Sequence, residues 1–154
     1  SSDGAFVAGD GAVLVVGLGG AAVFRGGGGV DHVKVPALNF GSIDGGTGTD
    51  ILHLDGKDLN LDLASVGDTI QGIETICIYG RGDNTLSLTA DSVINLSATS
   101  NTLKLHGNAG DRVTVQDDGW ADGGVKGFYH IYTNDDAVLL VGANLAIEFD
   151  DLII

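Results

Sequence analysis

The sequence predicts an all-β chain, a parallel β-roll or β-solenoid with a C-terminal antiparallel cap and at most one short helix. Three observations predict it. Residues 26–34 (GGGGVDHVK) and 45–53 (GGTGTDILH) both fit G-G-x-G-x-D-x-U-x, where U is a large apolar residue, the nine-residue period of stacked parallel coils. Glycine makes up 26 of 154 residues, about twice the usual share. Of the 21 acidic residues, 19 are Asp, and only Glu74 and Glu148 are Glu. Asp in such excess suits turns and calcium sites better than helix surfaces.

Length and charge bound what the chain can be. With 154 residues, 44% of them hydrophobic, it can build one core, as a single unit. The segments expected along it are repeats over 1–54, further solenoid strands with one short helix over 55–116, and an acidic loop, hairpin and final strand over 117–154. A net charge of −14 argues against nucleic acid and anionic membranes as partners. It predicts self-repulsion that divalent cations would relieve. No stretch is long and apolar enough for a membrane-spanning helix. The single cysteine, Cys77, excludes an internal disulfide and reads as a small core hydrophobe in Ile76-Cys77-Ile78.

Taken in order, the period begins before the intact copies. Residues 8–16 (AGDGAVLVV) and 17–25 (GLGGAAVFR) keep the fourth-position glycine and the eighth-position apolar residue, Val15 and Phe24, but have lost the aspartate. Gly17 to Ala22 also resembles a dinucleotide-binding turn. That turn must open a helix, and the four glycines of 26–29 forbid one. Two nonapeptides make one coil, so blocks 8, 26 and 45 stack on one side, and block 17 and segment 35–44 on the other. From Leu54 the motif stops, but Leu59–Leu63, Leu86–Leu88, Leu103–Leu105 and Val113–Val115 still alternate with period two. Turns rich in Gly, Asp and Asn separate them (Gly80–Asn84, Gly107–Asp111). Thr89–Leu96 (TADSVINL) is the one expected helix and would cover one side of the strands. Phe128–Thr133 and Val138–Val141, joined at Asn134–Ala137, predict a hairpin, and Leu145–Phe149 a closing strand.

The two intact blocks place Asp31 and Asp50 at the same position of adjacent coils. They predict one Ca²⁺ site, with those two carboxylates and the backbone carbonyls of the glycine turns (Gly26, Gly28, Gly46, Gly48) as hard oxygen ligands. Asp117, Asp118 and Asp122 form a candidate weaker metal site, against the plainer reading of a solvated acidic loop. Trp120 with Tyr129 and Tyr132 could stack on a sugar, against packing in the cap. Catalysis finds no support: there is no G-x-S-x-G or H-E-x-x-H, and His32, His53, His106 and His130 are scattered singly. The expectation is a protein without enzymatic activity.

Gly26–His53 resembles the calcium-binding nonapeptide array of repeats-in-toxin (RTX) exoproteins. Ile73–Ile76, Asp83–Leu88, Asn101–Asp111, Tyr132-Thr133 and Val138–Val141 are similar to the C-terminal region of large type I-secreted adhesins. The resemblance implies a secreted or surface-attached structural module that folds on external calcium, with an acidic-apolar tail (Asp151-Leu152-Ile153-Ile154) as part of an export signal. Its partners would be calcium, further copies of the chain, or a cell-surface or matrix ligand. Two other roles remain open: a self-assembling filament or surface-layer subunit, and the C-terminal appendage of a secreted enzyme.

Overall fold

A computed structural model describes residues 5–7, 11, 13–16, 23–38, 40–66, 69–78, 82–97 and 100–149. Among them the chain is mostly β, with sixteen strands and two helices. The first strands are short and alternate between two sheets. One sheet takes β1 (Ala5–Val7), β3 (Val23–Gly27), β5 (Ser42–Gly46) and β8 (Ile70–Gln71), all parallel. The other takes β2 (Val13–Val16), β4 (Asp31–Val35), β6 (Ile51–Leu54) and β9 (Thr75–Cys77), also parallel. Val13 lies opposite Asp31 and His32 opposite Ile51, so the repeat is 18 and then 19 residues, as the nonapeptide spacing implies.

After Leu54 the repeat lengthens and a third sheet appears. It is built from β7 (Asn60–Asp62), β10 (Thr85–Leu88), β12 (Arg112–Val115) and β16 (Ala146–Phe149), again parallel. The second sheet continues through β11 (Thr102–His106) and β15 (Ala137–Gly142), then turns antiparallel through β14 (Tyr129–Asn134) and β13 (Ala121–Lys126), eight strands in all. It therefore runs through all three sequence segments.

Strand alternation puts one face of every sheet into a shared core. The apolar U positions Val33 and Leu52 are buried, as is Phe24 of the worn block before them. Phe24 stands beside Ile43, and Val33, Leu52, Ile76, Leu105 and Val141 follow one another in register along the long sheet. Parallel in-register stacking keeps like side chains above one another, so each apolar position repeats as a continuous column.

Helix α2 (Ala90–Leu96) begins where the sequence expects it. Thr89 Oγ1 accepts the Ser92 N–H at 3.2 Å while Ser92 Oγ accepts the Thr89 N–H at 2.8 Å, a reciprocal cap. The Leu96 carbonyl accepts the Ile73 N–H at 3.1 Å, which ties the helix beside β8.

Two expectations need correction. The allowance of one helix was too small: α1 (Leu63–Val66) is a second, of one turn. Asp62 Oδ1 accepts the Ala64 N–H at 3.1 Å and bends the chain. Leu63 stays buried as the alternation requires, but from a helical turn too short for periodicity to reveal. The acidic loop is also partly a strand, since Ala121–Lys126 pairs with β14 around a bulge between Asp122 and Val125. Its mostly exposed side chains carry no alternation to read. The C-terminal antiparallel strands are β13–β14–β15, with the expected hairpin as β14–β15, and the closing strand β16 lies beside β12, parallel to it. The glycines at 17–20, Asp10, Gly80, Arg81 and the tail 150–154 lie outside the described residues.

A candidate metal centre

The turns Gly26–Asp31 and Gly45–Asp50 stack directly. A side chain on Gly48 would meet the Gly29 carbonyl at 2.2 Å, and Gly48 has φ +95°; Gly46, at φ +80°, would meet the Gly27 carbonyl at 2.4 Å. Only glycine satisfies both the left-handed backbone and that approach. Thr47 N–H donates to the Gly27 carbonyl at 2.9 Å and knits the two turns. Gly28 lies in the same turn, between β3 and β4.

Each turn folds its aspartate inward. Asp31 and Asp50 are both 0% exposed. Asp50 Oδ1 accepts the Asp31 N–H at 2.8 Å. The next position in the column is Glu74, whose Oε1 accepts the Asp50 N–H at 2.7 Å. Ser97 Oγ reaches Glu74 Oε2 at 3.5 Å and closes the column. Asp50 and Glu74 thus each accept a backbone N–H of the preceding turn. Sequence reasoning missed Glu74 because it stands 24 residues after Asp50, off the nonapeptide period. A signal was present: like Asp50, it is an acid that shortly follows a glycine and directly precedes a strand of the long sheet.

One oxygen in this column is left over. Asp50 Oδ2 is buried with no hydrogen-bond partner among the described residues. It faces the bare Cα of Gly45, where a Cβ would sit 2.8 Å away; Asp31 Oδ2 stands in the same relation to Gly26 at 2.4 Å. Burial, reinforced by the neighbouring Asp31 and Glu74 carboxylates, outweighs the hydrogen bond from Asp31 and pushes Asp50 up to about 7. Burial raises Glu74 as well.

A second inward column supplies the contrast. Asn84 and Asp111 are 0% and 1% exposed. Asn84 Oδ1 accepts the Leu59 N–H at 2.7 Å, Asp111 Oδ1 accepts the Asn84 N–H at 3.0 Å, and Asp111 Oδ2 accepts the Asn108 N–H at 2.7 Å. Both Asp111 oxygens are satisfied by backbone, so this turn is complete in itself. The Asp50 turn is not, and a buried carboxylate oxygen without a partner is costly. Two inward carboxylates beside glycine carbonyls are a donor set of the kind that hard divalent cations take, so the residues present fit a calcium ion.

The remaining candidates separate. Asp117, Asp118 and Asp122 line one cavity, but no group of three acidic, His or Cys side chains among the described residues converges as a metal site. Asp117 is taken up by the Trp120 indole at 2.8 Å and the Ala90 N–H at 2.9 Å, and Asp122 by His130. Tyr129 lies apart from Trp120, hydrogen-bonded to His106 at 3.0 Å. The histidines are less scattered than in sequence. Register sets His53 opposite Cys77 and Cys77 opposite His106 on the outer face of the long sheet. Burial lowers the pKa of His32, His53 and His106, so these three stay neutral near pH 7 and do not offset the acidic charge.

The raised Asp50 gives a pH dependence with a definite sign. In the unfolded chain an Asp ionises near pH 4, whereas in the folded chain this one keeps its proton to about pH 7. Between those values the folded state binds more protons, so its contribution to stability is present at low pH and lost as pH rises toward 7. The melting temperature of chelator-treated protein is expected to fall, relative to Asp50→Asn, between pH 4 and 7 and to level off above. A constant difference across that range would contradict the assignment.

Comparison of the chain with protein-family models, with curated proteins and with solved structures found no match.

Proposed function

We propose that the chain is a non-catalytic, calcium-binding β-roll module of an extracellular RTX-type adhesin or surface protein. The observation that carries the reading is the buried, unpartnered Asp50 Oδ2, beside Asp31 and between stacked glycine turns. Asp31 and Asp50, with carbonyls of the Gly26–Gly29 and Gly45–Gly48 turns, would hold the ion. Calcium would supply the positive charge that this part of the core lacks. The alternation of strands between two parallel sheets at 18 and 19 residues supports the roll. The surplus of aspartate supports calcium-driven ordering outside the cell, where the ion is abundant. With millimolar Ca²⁺ and a Kd of roughly 10 μM, linkage adds about 2.7 kcal/mol of stability.

Titrating Ca²⁺ into chelator-stripped protein tests this. The expected result is saturable heat, with a gain of strand signal in circular dichroism. Absence of binding sinks the reading.

The open edge of the long sheet favours a second reading, self-assembly. Among the described residues strand β13 pairs on one side only, with Val125 beside the bulge 73% exposed, and an unprotected edge templates pairing. Concentration-dependent light scattering after calcium addition would support it, and a monomer at all concentrations would discard it.

A further inference from the structure

A cavity of about 400 Å³ opens between the turn before β13, strand β14 and the last strand, β16. Its apolar walls are Trp120, Tyr132, Ile147 and Phe149. The rings are held in place: the Trp120 indole N–H donates to Asp117 Oδ1 at 2.8 Å, and Tyr132 packs on Phe149 with centroids 5.1 Å apart and planes tilted by 58°. Tyr132 also stacks on His130, with centroids 4.5 Å apart. Asp117, Asp118, Gly119 and Asp122 complete the lining, with no Lys or Arg among the described residues that form it. Tyr132 is only 9% exposed.

From this combination of a cavity, aromatic walls and carboxylates, we infer that the cavity binds a compact organic cation bearing an alkylammonium group. The lining is rich in acceptors and poor in donors. The one indole N–H is already given to Asp117. A sugar needs donors and acceptors in alternation and fits poorly. A bare metal ion would have to displace the indole and the Ala90 N–H from Asp117. An alkylammonium group instead meets the aromatic walls and the exposed Asp118 carboxylate together, two features that attract organic cations. Burial and the Asp122 charge hold the Tyr132 phenol above its usual range, in keeping with a negative potential in the cavity. The chain's net charge of −14 would steer cations toward it. This inference is independent of the calcium site, which lies at the other end of the long sheet.

Trp120 is the only tryptophan in the chain, so its emission reports on the cavity alone. Choline should be titrated into the full chain with calcium saturating and ionic strength held constant. The expected result is a saturable change in emission. Neohexyl alcohol, the uncharged carbon isostere, should bind about tenfold more weakly, and Asp118→Asn should weaken choline about fivefold. Asp118 is exposed, so that variant should fold. A flat titration, equal binding of the isostere, a response reproduced by sodium chloride, or saturation by methyl glucoside in place of choline would each overturn the inference.

Discussion

Replacing Asp50 with Asn is expected to abolish the calcium response and at the same time to stabilise the metal-free protein. The wild-type carboxylate sits buried between Asp31 and Glu74, with one oxygen on the Asp31 N–H and the other without a partner. Without a cation the charged form costs free energy, which is why the group keeps its proton to about pH 7. An amide retains the Oδ1 acceptor and removes the charge, so in chelator the variant should gain on the order of 1 kcal/mol or more at neutral pH. With calcium the order reverses. Wild type gains about 2.7 kcal/mol at a hundredfold excess over Kd, a rise of roughly 5–10 °C in Tm for a chain of this size, and the variant gains almost nothing. Asp111→Asn is the control. Both Asp111 oxygens accept backbone N–H groups, so an amide nitrogen must confront one donor, and the variant should lose stability equally with and without calcium. Thermal melts of the three proteins in chelator and in millimolar Ca²⁺ decide the matter. An Asp50→Asn protein that still gains several degrees from calcium would refute the assignment of the site.

What could be read in advance was whatever depends on local repetition. The nonapeptide fixed which residues turn, which face inward and how far apart stacked strands lie, because in-register parallel pairing copies sequence spacing into space. Thr89–Leu96 was legible from the cap residue and the spacing of its apolar residues, and β14–β15 from alternation across a polar turn. The rest depends on long-range pairing. Glu74 joins Asp50 only because β9 follows β6 in the long sheet, after an insertion that breaks the period. The third sheet arises where residues 55–62 leave the two-sheet alternation, and nothing local marks that departure. Asn84 and Asp111 looked like turn residues, and their buried column exists only once β7, β10 and β12 are side by side. The cavity at Trp120 needed the register of β14 and β16, which belong to different sheets.

The glycine at position 45 carries a large expected loss, and one that bears directly on the carboxylate. A Cβ there would lie 2.3 Å from the Gly72 carbonyl oxygen, 2.6 Å from Asp50 Cβ and 2.8 Å from Asp50 Oδ2. The first contact is with backbone, so the stacked turns must separate to admit it. Gly45→Ala is expected to cost on the order of 3 kcal/mol or more, and calcium should not recover it, because the methyl group occupies the space in front of the carboxylate. Gly127→Ala is the contrast, since Gly45 does not have a positive φ and Gly127 does. Gly127 has φ +63° but nothing within 4 Å of its would-be Cβ, so it bears only the left-handed strain of about 1 kcal/mol and should bind calcium normally. Urea unfolding of both variants, with and without calcium, separates the two contributions. Equal losses at the two positions would mean that the turns are not held at the observed spacing. The close stacking that forms the cation's surroundings would then have to be abandoned, and the calcium reading with it. A large, calcium-independent loss confined to Gly45 would instead tie the ion and the fold to the same few ångströms of backbone.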